Sequence, residues 1–354
     1  MSRNTVGVVI AAMNSAAFID QALGSLAMQT TLADQVVVVD DNSGDDTVRL
    51  VERWRAILPL TLLRNHGPRR LGVWGARRAA IEALETDLVL QLDGDDVVLP
   101  HHVAAMSETY AAAPGLISPR PLTWTGQGPF RPATYTKGGL PVPGDQLIQL
   151  LAQNYVVVGS LFARELYERI GGYRHVAYGE EWDLWLRLVA AGARVSKPDE
   201  PSYVYRVRAS SYAGGFARNE AETEVLNRFL EEAEHPVHRQ AVKVALLQRT
   251  GLAALGGALT PVSGPLPEPV RAFAAGHERP LTRAYRDQDL GWVLAFDSEV
   301  AVTDDHARVI VHVVEKDGNY EAVEIADPLM RRDASSLRDI LRGERGERGE
   351  RGER

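Results

Sequence analysis

The stretch LVLQLDGDDVVLP, residues 88–100, carries an apolar run into three carboxylates, Asp93, Asp95 and Asp96, with only Gly94 between the first two. Carboxylates repel one another and resist desolvation, so such a cluster beside a buried strand costs stability. A bound cation is the first candidate to offset that cost. Hard carboxylate oxygens at the Asp-x-Asp spacing suit Mg2+ or Mn2+, with phosphate oxygens completing the octahedron. A solvated acidic loop has the same composition, but this motif follows a buried strand and precedes a helix, which favours the cation.

A second acidic group lies in VVVVDDNSGDDT, residues 36–47. An acid at a strand end can accept hydrogen bonds from a nucleobase imide or a ribose. Ser43 or Asp45 can also cap the helix that follows, with the other acids favouring its dipole. Both roles fit together, because capping needs only one or two of the four acids. Asp41 is the expected ligand contact. A third group, GEEWDLW at 179–185, sets Glu180, Glu181 and Asp183 at a helix start, where negative charge complements the dipole.

The elements that must position these acids alternate. VGVVIAA (6–12) and QVVVVDD (35–41) are continuous β-branched runs, as expected of strands buried on both faces. LTLLRN and DLVLQLD are the third and fourth strands. Helices fall between them, with Phe18, Ile19, Leu23 and Leu26 inward in the first and Val48, Val51 and Trp54 in the second. PHHVAAMSETYAA opens the next helix with Pro100, so His101 and His102 read as helix-start residues. Alternation through residue 113 implies an α/β fold, a parallel or mixed sheet flanked by helices, with ligands at the carboxyl ends of the strands.

Residues 114–145 are rich in Pro and Gly and read as irregular. A strand into a helix follows at VVVGSLFARELYERIGGY, then an amphipathic helix at EEWDLWLRLVAAGA and a strand at SYVYRVR. Trp182 and Trp185 stand three apart on that helix, one expected in the core and one toward an acceptor. The expected divisions are a catalytic domain over 1–212, a helical extension over 213–260, a linker over 261–285, a small antiparallel β unit over 286–330 and a polar tail over 331–354. The tail repeats Gly-Glu-Arg, without the proline that a collagen helix needs, and reads as solvated chain.

The chain has 354 residues, a net charge of −8 and no cysteine. Acidity argues against nucleic acid or an anionic membrane as an attracted partner. Without cysteine there is neither disulfide nor thiolate nucleophile, which fits a reducing compartment. The apolar run at the N-terminus is too short for a signal peptide core, and VALLQRTGLAALGGALTPV is broken by Gln248 and Arg249, so no membrane span is expected. The expected location is the cytoplasm.

Six segments in order, VVIAAMN, QVVVVDDNSGDDT, GVWGARRAAI, LQLDGDDVVLP, VVVGSLFARELYERIGGY and GEEWDLWLRLVAAG, resemble the family 2 glycosyltransferases of the GT-A fold, closely over 6–120 and less tightly over 121–212. The resemblance implies a nucleotide-sugar donor held at the ends of the first two strands by Ala11, Asn14 and Asp41. It places Arg77 near the base or diphosphate and Asp93 at the ribose or a metal-bound water. Asp95 and Asp93 become ligands of Mn2+ or Mg2+, and Gly94, Ser160 and Glu180 complete the donor contacts. Glu181 falls at the general-base position, a glutamate where the family usually has aspartate. Arg208, in YRVRASS, falls where many relatives carry a histidine; an arginine cannot ligate a metal but can pair with a diphosphate, as can Arg206.

The implied reaction is inverting transfer from a UDP- or dTDP-sugar to an unidentified acceptor hydroxyl. The last segments are expected to bind the acceptor, form a homodimer or cover the catalytic domain. Two alternatives stand beside this reading. One is a haloacid dehalogenase-type phosphatase, whose Asp-x-Asp normally follows the first strand rather than the fourth. The other is a non-catalytic sugar-nucleotide-binding scaffold.

Overall fold

The computed structural model describes residues 3–133, 145–208, 217–255, 259–305, 309–316 and 319–325. These residues form two units, one from 1–141 with 154–215 and the other from 142–153 with 216–354. The Gly-Glu-Arg tail lies outside the described residues.

The first unit begins with three strand–helix repeats: β1 (Val6–Ala12), α1 (Ile19–Ala27), β2 (Gln35–Asp40), α2 (Thr47–Arg53), β3 (Leu60–Arg64) and α3 (Gly72–Glu82). β4 (Leu88–Gln91), β5 (Val97–Val98) and α4 (His102–Ala112) follow. Then come β6 (Leu116–Ile117), β7 (Arg120–Trp124) and β8 (Arg131–Pro132); α5 (Gln146–Ala152) belongs to the second unit. β9 (Leu161–Ala163), α6 (Arg164–Arg169), α7 (Glu180–Ala190), β10 (Val195–Ser196) and β11 (Pro201–Arg206) complete the first.

The main sheet has the order β10-β6-β9-β4-β1-β2-β3. β1, β2, β3 and β4 are mutually parallel, as are β6 and β10, while β9 runs antiparallel between β4 and β6. The sheet is therefore mixed. Val8, Ile10, Val36, Val38, Leu88 and Leu90 pack with Ile19, Leu23 and Leu26 of α1 in one buried cluster, which explains the near-continuous apolar strands. Strand order reverses direction between β1 and β4, and a crevice at that point is where such sheets bind ligands.

The segment 114–145, expected to be irregular, instead supplies β6, β7 and β8; its residues 134–144 lie outside the described part. β7 pairs parallel with β11, which pairs antiparallel with β5, so a second sheet of order β5-β11-β7-β8 forms beside the acidic loop. These strands are short and interrupted by proline, and their pairing is non-local, so local pattern does not reveal them.

The second unit contains α5, α8 (Ala217–Glu232), α9 (Pro236–Thr250), β12 (Thr260–Pro261) and α10 (Glu268–Gly276). It ends in β13 (Leu281–Asp287), β14 (Gly291–Phe296), β15 (Glu299–Thr303), β16 (Val309–Lys316) and β17 (Asn319–Ile325), an antiparallel sheet in sequence order with β12. The expected linker over 261–285 is thus structured. Pro267 precedes α10 and Pro269 lies in its first turn, where a missing N–H costs nothing, so the prolines mark a helix start rather than a spacer.

Candidate active site

The acidic loop after β4 sits against the end of β1. Gly94 is buried, and a Cβ there would lie 3.4 Å from the Ser15 hydroxyl and 3.5 Å from the Ala11 carbonyl. Asn14, exposed and with a positive φ of 49°, accepts from the Gly44 amide at 2.8 Å and donates its own amide to the Ser43 hydroxyl at 2.9 Å. The loops after β1 and β2 are thereby joined.

Asp41 is 4% exposed. It accepts from the Asn65 side chain and the Leu71 amide at 2.8 Å and from the Gly72 amide at 2.9 Å. These bonds hold the loop before α3 and fill most of the roughly four acceptor positions of a carboxylate. Asp41 therefore acts here first as a loop anchor. Its neighbour Asp40 is also buried, with Oδ1 lacking a hydrogen-bond partner.

Arg77 is the centre of the arrangement. It lies on the buried side of α3, 3% exposed, beside Ala76, Ala80 and Ile81. Its guanidinium donates to Asp93 at 2.6 Å, to Glu181 at 2.6 Å and to Glu180 at 3.1 Å. Burial disfavours its charge, but the surrounding carboxylates hold it firmly protonated. Arg77, expected near a base or diphosphate, is set among three carboxylates, and its fixed charge makes those acids tolerable in a buried place. Burial and repulsion from Glu181 push Glu180 up to about 7, against the pull of Arg77. Gly179 before them adopts a φ of 79°, which turns the chain into α7.

Asp93, Asp95 and Asp96 each bring one oxygen within 4.8 Å of the others. Their roles differ. Asp96 is buried, accepting from the Tyr203 hydroxyl at 2.5 Å and the Arg206 amide at 2.7 Å. Burial and repulsion from Asp93 raise its pKa well above the ordinary carboxylate range. It fastens β11 to the loop. Asp95 is pushed up by burial and by Asp93, and its Oδ2 meets Arg208 at 2.8 Å. Asp93 meets Arg77 through Oδ1 alone. Hard oxygens on Asp93 and Asp95, mutually repelling and partly open, fit Mg2+ or Mn2+.

Arg206 is buried, donating to the Asp95 carbonyl at 2.6 Å, with its guanidinium 4.5 Å from the Trp124 ring and 5.1 Å from the Phe18 ring. Arg208 is more exposed and lies 5.3 Å from the same Phe18 ring. Of the two, Arg208 is the one at the surface of the site.

Ser160 is fully buried, and its hydroxyl donates to the Val157 carbonyl at 2.6 Å. Gly159, at a φ of 91°, would place a Cβ 2.3 Å from the Tyr203 ring. The small pair is thus required by packing. Trp182 and Trp185 are both core residues, so neither is the acceptor-lining tryptophan expected from their spacing. His102 begins α4, fully buried, with Nδ1 2.8 Å from the Ser202 hydroxyl; burial lowers its pKa to about 3.

Comparison with known proteins accords with this geometry. The profile of the family described as Glycosyl transferase family 2 matches residues 7–171. The amylovoran biosynthesis glycosyltransferase AmsE of Erwinia amylovora is 26% identical over 200 residues, covering 54% of this chain and 71% of AmsE. The succinoglycan biosynthesis protein ExoO of Rhizobium meliloti (strain 1021) is 29% identical over 227 residues, covering 58% of this chain and 62% of ExoO. Among solved structures, S. aureus TarS 1–349 in complex with UDP-GlcNAc superposes with a TM-score of 0.57 at 20% identity, covering 69% of this chain and 72% of that one. The mannosyltransferase PcManGT from Pyrobaculum calidifontis, in complex with GDP-Man and Mn2+, gives 0.52 at 23% identity, covering 73% and 76%.

The structural likenesses establish the GT-A type fold, and the sequence matches define the enzyme as a glycosyltransferase. Residues 7–171 are similar to glycosyltransferase family 2. Neither the phosphatase nor the scaffold alternative is favoured by these relatives. No helix among the described residues is long and apolar enough to cross a membrane.

Proposed function

We propose that this enzyme transfers a sugar from a UDP- or dTDP-sugar to an acceptor hydroxyl with inversion, using Glu181 as general base. The observation that carries the reading is the Arg77 cluster, which draws Asp93 after β4 and the two glutamates of α7 to one guanidinium. Donor-side and acceptor-side carboxylates are 88 positions apart in sequence (181 − 93) and share one cation in the fold.

The donor lies over the ends of β1 and β4, where Ala11, Asn14, Gly94 and Asp93 border the crevice. Asp93 and Asp95 hold Mn2+ or Mg2+. When bound, the cation supplies charge to offset the departing diphosphate. Arg208 pairs with Asp95 until the donor arrives, and then turns its guanidinium to the diphosphate oxygens. Arg77 fixes Glu181 through Oε1, leaving Oε2 to take the acceptor proton as the new bond forms at the anomeric carbon. Inversion follows from a single displacement, without an enzyme nucleophile. The pKa of Glu180 near 7 supports a second assignment, with that residue as the base.

Calorimetric titration with UDP and dTDP, with and without Mn2+, tests the donor site. Metal-dependent binding that Asp95→Ala abolishes is expected, and binding of neither nucleotide under either condition would refute the uridine or thymidine assignment. Glu181→Gln should then lower kcat by about 10²–10⁴ while retaining donor binding. A larger loss in Glu180→Gln would transfer the role to Glu180.

A further inference from the structure

The second unit carries a cluster unrelated to the glycosyl-transfer site. His277 follows α10, Glu299 opens β15 and His312 lies on β16. His312 pairs across the sheet with Ala301, so it shares a face with Glu299. That face also carries Trp292, Leu294, Phe296 and Ala301, which pack with Val270 and, less deeply, Phe273 of α10. One ligand atom from each of His277, Glu299 and His312 lies within 4.8 Å of the other two.

We propose that His277, Glu299 and His312 bind Zn2+. Nε2 of His277 is 3.4 Å and Nε2 of His312 is 3.0 Å from the same Glu299 oxygen, Oε2. Tetrahedral zinc with bonds of about 2.0–2.1 Å sets its ligands about 3.3 Å apart, so both spacings suit edges of one coordination polyhedron. The site is also held in place. The His277 ring stacks on Phe296, with centroids 3.8 Å apart and planes 15° from parallel. Arg279 donates to Glu299 Oε1 at 2.8 Å, which turns Oε2 toward the imidazoles. Such outer contacts orient ligands. Two imidazoles and one carboxylate suit zinc better than Mg2+, and three protein ligands leave a position for water.

Two features oppose the ion and are outweighed. The Arg279 charge repels it, but the divalent cation meets Glu299 directly. The Arg279 amide donates to Nδ1 of His277 at 3.2 Å. Coordination through Nε2 moves the imidazole proton to Nδ1, so that one long hydrogen bond is exchanged for a metal bond. Bound zinc would clip the end of α10 to β15 and β16.

The test uses full-length, tag-free protein carrying Asp95→Ala, so that the acidic loop adds no metal site, stripped with chelator and titrated with ZnCl2. One zinc ion per chain is expected, with affinity at least about tenfold weaker in His277→Gln and His312→Gln. Co2+ loading of the Asp95→Ala protein should give the visible absorption of tetrahedral cobalt, which needs no further variant. Absence of zinc binding and of that band would overturn the proposal, as would equal zinc affinity in folded histidine variants. Either result leaves the donor-binding experiment unaffected.

Discussion

Glu180 and Glu181 compete for one guanidinium, and Arg77 stands closer to Glu181, 2.6 Å against 3.1 Å. The less favoured Glu180 is the one that burial and its neighbour push up to about 7. The folded state therefore keeps a proton on Glu180 that the unfolded chain has already lost between the ordinary carboxylate range and about pH 7. Folding stability from this group is present at lower pH and is lost as pH rises through that window. Glu180→Gln removes the titration. Relative to wild type it should gain roughly 1–3 kcal/mol between about pH 4.5 and about pH 8, measured by urea unfolding at both values. Parallel pH dependence in the two proteins would show that folding does not raise the Glu180 pKa. The acids themselves were legible in the sequence from their places at strand and helix ends. Their division of labour was not: Asp96 looks like Asp93 and Asp95 until β11 brings Tyr203 and Arg206 to it.

At the scale of elements, Arg77 joins α3, the loop after β4 and the start of α7. Arg77→Met would leave Asp93, Glu180 and Glu181 without their shared cation. The expected loss is about 3–5 kcal/mol, the range for breaking a buried ion pair from one side. Arg77→Lys should fall between the two, because it restores charge but not the fork that reaches three acids. Thermal unfolding in the presence of chelator measures both, and a fully stable Arg77→Met protein would show that the acids do not depend on the guanidinium. A signal for this role existed in GVWGARRAAI, where helical spacing sets Arg77 with Ala76, Ala80 and Ile81 on the inward face. The parallel core was legible for the same reason, its strands being long and apolar. β9 was harder, since three residues carry no period and its antiparallel direction depends on partners far away in sequence.

At the scale of the molecule, the first unit is interrupted by residues 142–153, whose helix α5 belongs with α9 in the second. Leu147, Ile148, Leu150 and Leu151 of α5 are buried. A chain cut at 215 would retain α5 and lose α9. It should aggregate more than the full-length enzyme in light scattering, and polar substitution of Leu150 and Leu151 in the fragment should reverse part of the effect. A fragment as monodisperse as the full chain would show that α5 is covered without α9. The expected boundary at 212 gives no sign of this exchange, because an apolar helix carries no label for the sheet or bundle it joins.

The same interruption sets an order of events during synthesis. β9 and β10 emerge after α5, so the main sheet cannot close until the interrupting helix has already left the ribosome. α9 begins only at Pro236, and at about 5–20 residues per second α5 waits on the order of ten seconds for its partner. Through that interval its leucines form an unpaired apolar stripe on a nascent chain whose catalytic sheet is already assembling. The window for misassembly thus opens in the middle of translation, and slowing or speeding the ribosome between residues 152 and 250 would lengthen or shorten it.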